Sequence, residues 1–313
     1  MNIGIKTDCS MIPQNSTRYM APGWIWLHNP DDATIEYLSA ETGVDKDFFL
    51  DIYDAEEPPR LQREGESLFG IMQVPILTSA RDGKQWIPHP MGWVLQRDTL
   101  ISISTVPFPF LLNIFNETQA DQAIVHAPKD LLLRLMQSVT ETYQDAIREL
   151  QQQLIDLESR LDRTQRNEDL FRLLDVGKSA LQLHSALDGN VAAVFKLSRS
   201  RQVSWSIEEK ISLTLMVADL QAVHERAAIL SETSNSSMDA YGGMVQNNIN
   251  HGLKVITTLA LVLYIPALVA TMWGINTPRP LSHNPLAFWY LTLGGLAISA
   301  ALTLIFRYRL RWI

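Results

Sequence analysis

Four polar side chains, Asp239, Gln246, Asn250 and Thr257, follow one another at spacings of 7, 4 and 7. On a helix of about 3.6 residues per turn such spacings hold all four near one face. A row of Asn, Thr and Asp oxygens can hydrogen-bond the water shell of an ion without stripping it. That suits a cation that dehydrates reluctantly, Mg²⁺ above all. The same residue types have a plainer use, since Thr in a membrane helix bonds its own backbone carbonyl and Asn bridges neighbouring helices. Thr258, Thr271 and Asn276 extend the polar set towards the C-terminus.

Other chemistries lack their residues. The histidines (His28, His89, His126, His184, His224, His251 and His283) are scattered, and His224-Glu225 has no second His at the spacing of a zinc-protease helix. The single cysteine, Cys9, can build neither a thiolate cluster nor an internal disulfide. No glycine-rich loop that would cradle phosphate stands out, so neither an enzyme nor a covalent cofactor is expected. No nucleic-acid partner is expected either.

The elements that would position the polar row are set by charge. Every acidic residue lies at or before Asp239, so the chain carries 34 acids and 21 bases up to that point and only bases beyond it: Lys254, Arg279, Arg307, Arg309 and Arg311. Uncharged runs of 24 residues between Lys254 and Arg279, and of 27 between Arg279 and Arg307, exceed the roughly 20 that a helix needs to cross a bilayer. Trp273, Trp289, Tyr290 and Trp312 sit near the ends of these runs, as interfacial aromatics do. We expect spans at 253–275 and 286–306 joined by an external loop at 276–285. More basic residues flank the two spans than occupy the loop, which places both termini in the cytoplasm. No basic segment followed by an apolar core opens the chain, so no cleaved signal peptide is expected.

Upstream, residues 1–127 read as one α/β domain: Gly23–His28 is strand-like, Asp31–Thr42 helical, and Ser67–Leu77 and Trp93–Thr105 strand-like, with Arg81-Asp82-Gly83 as a turn. Ile147, Leu150, Leu154, Leu157 and Leu161 recur at spacings of 3, 4, 3 and 4, a coiled-coil seam. With a second helical run at 168–198 it predicts an antiparallel hairpin over 128–203. A stalk helix over 204–252, with Ser204 or Ser206 as its cap, would run on into the first span. Gly242, Gly243 and Gly252 weaken that helix or mark close helix approach.

The end of the first span, Trp273-Gly274-Ile275-Asn276, resembles the Gly-Met-Asn mark of the CorA family of divalent-metal transporters, with Ile in place of Met. The resemblance extends through Asn250 and the run Lys254-Val255-Ile256-Thr257, and back to Asp239, where the family often has a pore-facing acid. It implies an α+β cytoplasmic domain, a long helical hairpin, a stalk helix and two C-terminal transmembrane helices, assembled as a homopentameric funnel in the inner membrane with a basic tail at 307–313. It also implies a selectivity loop at Gly274, Ile275 and Asn276, with Asn276 touching a hydrated cation. Asn250, Asp239, Thr257 and Tyr264 would line the pore, Asp239 meeting the metal, and Ile256 would lie in an apolar gate. The implied partners are further copies of the chain, divalent cations and the bilayer. The cation is substrate and regulatory ligand in one, Mg²⁺ first, with Co²⁺ and Ni²⁺ as alternatives.

Departures from the pattern keep two other readings open. The loop carries Arg279 and His283 and no acid, and variant tripeptides occur in ZntB-like zinc transporters. A proton-coupled Zn²⁺ transporter is therefore one alternative, and a non-conducting membrane-anchored sensor or scaffold the other. Asp45, Asp47, Asp51, Asp54 and Asp219 are candidate regulatory carboxylates without a diagnostic spacing.

Overall fold

The computed structural model describes residues 17–21, 23–80, 83–96, 99–120, 127–164, 166–200, 203–273, 284 and 286–308. They fall into two compact units, residues 1–238 and 239–313. The elements are β1 (Thr17–Ala21), β2 (Trp24–His28), α1 (Asp32–Thr42), α2 (Lys46–Asp51), β3 (Arg60–Glu64), β4 (Ser67–Ala80), β5 (Gly83–Leu95), β6 (Leu100–Ser104), α3 (Pro109–Ala120), α4 (Pro128–Thr164), α5 (Asn167–Ser198), α6 (Ile207–Trp273) and α7 (Ala287–Tyr308).

The first unit is built on a six-stranded sheet in the order β1-β2-β6-β5-β4-β3. Only β2 and β6 pair in parallel; the other neighbours are antiparallel. Period-two alternation sorts the strand residues between two cores. Ile25, Leu27, Ile101 and Ile103 join Ile35 and Leu38 of α1, Phe48 and Phe49 of α2 and Ile52, which caps α2, in one buried cluster. The intervening residues pair as donors and acceptors, with the Trp24 indole donating to Ser102 Oγ at 2.9 Å and the Trp26 indole to Ser104 Oγ at 3.2 Å. On β5, a Cβ at Gly92 would stand 2.2 Å from Ile52 Cδ1, so α2 lies as close to the sheet as glycine allows.

The segment expected as one strand over 93–105 is two. It is broken by a turn in which Gln96 donates its backbone N–H to Thr99 O, and β5 and β6 are antiparallel partners across it. Both flanks are apolar and β-branched, and the reversal is marked only by the polar run Gln96-Arg97-Asp98-Thr99 between them.

α4 and α5 form the hairpin, and the α4 seam is buried along its length at Ile147, Leu150, Leu154, Leu157 and Leu161. The two helices are also fastened to the sheet by a polar node. Asn190 of α5 accepts from Gln73 N at 3.1 Å and donates to Gln73 O at 2.8 Å and to Tyr143 Oη at 3.2 Å, while Tyr143 of α4 donates to Gln73 O at 2.9 Å. Pro90, opposite Gln73 in the ladder, has no N–H to offer. Burial pushes the Tyr143 hydroxyl well above the usual phenol range, so it stays a donor.

α6 begins with a complete capping box: Glu209 N donates to Ser206 Oγ at 3.1 Å, and Ser206 N donates to the Glu209 carboxylate at 2.5 Å. It then runs unbroken for 67 residues, about 100 Å at about 1.5 Å per residue. Gly242, Gly243 and Gly252 lie within it with open space where a Cβ would go, so in this chain they mark no close contact.

Candidate ion pathway

Beyond Asp239, α6 shows three kinds of surface. Asp239, Gln246, Asn250 and Thr257 are all exposed, and at about 100° per residue they fall within a few tens of degrees of one line, which Tyr264 extends. Gln246 Nε2 donates to Asn250 Oδ1 at 3.3 Å along this face. Tyr264 is 64% exposed. The second surface is apolar and belongs to the contact with α7.

The residues of α6 that lose exposure there are Thr258, Val262, Ile265, Pro266 and Val269, a stripe about 120° round from the polar line. Gly295 of α7 meets this stripe: a Cβ placed on it would lie 3.4 Å from Val269 Cγ2 and 3.7 Å from Pro266 Cα. Ser299, one turn later, is buried and turned back on its own helix, donating to Gly295 O at 3.0 Å. Small residues thus let two apolar helices approach closely, as helix pairs in lipid do. α7 therefore covers a different side of α6 from the one that carries the polar row.

Ile256, 64% exposed, lies about 100° from the polar line in the direction away from α7, on the third, uncovered surface.

The threonine hydroxyls of α6 differ in their partners. Thr258 donates to Lys254 O at 2.8 Å and Thr271 to Ala267 O, the self-satisfied arrangement of a threonine in lipid. Thr257 has no such bond among the described residues and faces outward. α7 accounts for the burial of Thr258 but not for Thr271, which is exposed and about 40° from the polar line, so the position of α7 does not by itself sort these threonines.

Gly274, Ile275 and Asn276, with Arg279 and His283, lie outside the described residues.

Of the carboxylates singled out as regulatory candidates, Asp45, Asp51 and Asp54 have local partners. Asp45 caps α2, accepting from Asp47 N at 3.1 Å; Asp51 pairs with Arg60; Asp54 accepts from Glu56 N at 2.9 Å. Among the described residues no three His, Cys, Asp or Glu side chains converge to hold a metal ion. The nearest approach to a site is a histidine pair: His184 of α5 and His224 of α6 stack with centroids 4.1 Å apart, and His224 Nε2 lies 4.0 Å from Asp188. Burial and then the neighbouring His184 hold His224 below the usual imidazole range, with Asp188 and Glu225 pulling the other way.

Two helices among the described residues are long and apolar enough to cross a membrane, their most apolar stretches are almost unburied within the chain, and one bears an outward polar row, features that a membrane transporter combines. The chain belongs to the family described as CorA-like Mg²⁺ transporter protein, whose model matches residues 21–309. It is a divalent-cation transporter of that family and not an enzyme. It is 20% identical to the cobalt/magnesium transport protein CorA of Methanocaldococcus jannaschii over 92% of this chain and 89% of that one. To the magnesium transport protein CorA of Wolinella succinogenes it is 20% identical over the full length of both. The solved structure of the Methanocaldococcus jannaschii CorA magnesium transporter shares the fold, with a TM-score of 0.77 at 20% identity over 91% of this chain and 90% of that one. The cytoplasmic domain of ZntB from Vibrio parahaemolyticus is a more distant likeness, with a TM-score of 0.54 at 11% identity over 74% of this chain and 90% of that one.

Proposed function

We propose that this chain assembles as a homopentamer in the inner membrane, termini in the cytoplasm, and conducts Mg²⁺ along a central pathway lined by α6. The observation that carries the reading is the uncovered polar line of Asp239, Gln246, Asn250, Thr257 and Tyr264, on a helix whose other apolar side is occupied by α7. A lone α6 would leave Thr257 and Tyr264, within the expected span at 253–275, facing lipid, where unsatisfied polar atoms are costly, and would leave Asp239, Gln246 and Asn250 as an uncovered polar line on the stalk that leads into it. Facing other copies around an axis, they become rings of oxygen donors.

Mg²⁺ gives up its waters reluctantly, and amide and hydroxyl rings bind the hydrated ion without competing for its inner shell. Asp239 adds a carboxylate ring that attracts cations. Ile256, on the uncovered side, joins the wider arc that several packed helices bring to an axis and forms the apolar gate. Gly274, Ile275 and Asn276 form the selectivity loop at the outer mouth, and Asn276 contacts the hydrated ion. The names of the relatives, which pair magnesium with cobalt in one case, support Mg²⁺ as the first substrate and Co²⁺ as the next.

Proteoliposomes containing a Mg²⁺-sensitive dye test this directly. The native chain admits Mg²⁺ without an imposed pH gradient, and Asn276→Ala and Asn250→Ala each reduce entry at least about tenfold, the loss of roughly one charge-assisted contact per ring. Zn²⁺ flux that steepens with a proton gradient, without Mg²⁺ flux, would replace this reading with the zinc-transporter one. No flux of any divalent ion would leave the scaffold.

A further inference from the structure

Between α4 and α5, away from the pathway, lies a cleft of about 220 Å³ lined by Leu150, Gln153, Asp156, Leu157 and Arg160 on one helix, Arg172, Asp175, Val176 and Ser179 on the other, and Lys84 at the start of β5. Residues 172, 175 or 176, and 179 recur at helical spacing, as do 150, 153, 156 or 157, and 160, so the cleft is where the two facing stripes of the hairpin part.

Its floor carries two polar groups with nothing to bond. Ser179 is 1% exposed, and its Oγ has no hydrogen-bond partner among the described residues; nor has the buried Nε of Arg172. Thr140 and Thr142 of α4 return to the carbonyl four residues back, at 3.0 and 2.7 Å, and Ser159 and Ser198 to the one three back, but Ser179 does neither. Arg172 and Lys84 form no ion pair among the described residues, whereas Arg160 is already engaged with Asp169 at 3.6 Å. Buried donors left unmade are costly, so the cleft calls for an acceptor.

We propose that this cleft binds inorganic phosphate. Arg172 and Ser179 donate to its oxygens from the floor, and Lys84 and Arg160 supply positive charge at the rim. The two carboxylates fix the identity of the anion. Asp175 and Asp156 would repel an oxyanion without protons, but inorganic phosphate still carries a proton at neutral pH and donates it in a hydrogen bond to a carboxylate. Sulfate has none to give, and a phosphate monoester has largely lost its last one, with a second pKa of about 6. Size agrees, because the cleft is smaller than the roughly 300 to 1,000 Å³ of pockets that hold drug-sized ligands. The inference is independent of the transport reading, since every residue in it lies in the first unit.

The test is thermal unfolding and calorimetric titration of the full-length chain in detergent, free of divalent ions, with inorganic phosphate, sulfate and AMP at matched ionic strength. Phosphate should raise the unfolding midpoint saturably while sulfate and AMP leave it in place. Arg172→Gln should weaken phosphate binding about tenfold or more. Ser179→Ala should weaken it about fivefold, and because it removes an unpaired buried hydroxyl it should not lower the midpoint without phosphate. Asp175→Asn should admit sulfate. Equal shifts from sulfate and phosphate would overturn the proposal, as would undiminished binding by Arg172→Gln. Equal binding of AMP would assign the cleft to the phosphoryl group of a larger metabolite instead.

Discussion

Asn190 is the side chain through which the hairpin and the sheet hold each other, because its one amide serves both backbone groups of Gln73 and the Tyr143 hydroxyl. Leucine has the same branched skeleton, though a bulkier one, and can do none of this. In Asn190→Leu, Gln73 O keeps the Tyr143 donor, but Gln73 N–H is left buried with no acceptor and Tyr143 Oη loses an N–H. The expected cost is about 2 kcal/mol, within the range for a stranded buried polar group. It should appear as a lower midpoint in chemical unfolding with an unchanged slope. An unchanged midpoint would mean that water reaches Gln73, contrary to the full burial of Asn190 and Tyr143. None of this node was legible in the sequence. Asn190 and Gln73 are 117 positions apart, and a lone Asn in a helical run gives no sign of a distant backbone partner.

At the scale of elements, periodic burial was legible and its interruptions were not. The α4 seam and the polar row on α6 could be read because a helix repeats its facing direction every few residues, so spacing alone carries the signal. The turn between β5 and β6 has only a four-residue polar run, Gln96-Arg97-Asp98-Thr99, to mark it, too short to stand out from the polar and apolar alternation of the strand that follows. The face of α6 that α7 takes was hidden as well, because the signal there is a small residue, Gly295, whose meaning depends on what approaches it. The contact between α5 and α6 gives this scale its prediction. His184 and His224 stack there, with Asp188 on α5 and Glu225 on α6 as the charged groups named beside His224. His224 titrates below its ordinary value in the folded chain, so between that ordinary value, about 6.5, and the lower folded one the unfolded chain binds more protons. Stability therefore falls as pH drops through this window, and is unaffected by His224 above it. Thermal midpoints taken at about pH 7.5 and about pH 5.5 should differ less in His224→Gln than in the native chain. Identical pH dependence in the two would show that the imidazole remains free to protonate when folded.

At the scale of the whole molecule the question is what covers α6. Lipid can receive Leu263 and Ile256, both more than 60% exposed in the single chain, but it receives Thr257 and Tyr264, on the polar line within the expected span, only at a cost. α7 already occupies the side with Pro266 and Val269. Two membrane-crossing helices among the described residues are too few to enclose a polar pathway, so the pathway proposed above needs the same polar side of other copies. In a closed ring each copy presents that side to the axis. The arrangement makes a geometric prediction that does not depend on flux. In a Cys9→Ser background, Thr257→Cys places a thiol on the polar line, and mild oxidation in membranes should link copies in pairs through it. Leu293→Cys places a thiol on α7, well exposed and on the side opposite Gly295. That thiol faces lipid and should stay monomeric under the same oxidant. Linkage at position 293 without linkage at 257 would turn the ring inside out, with α7 at the axis. It would remove the physical basis for a pathway lined by Asn250 and Thr257.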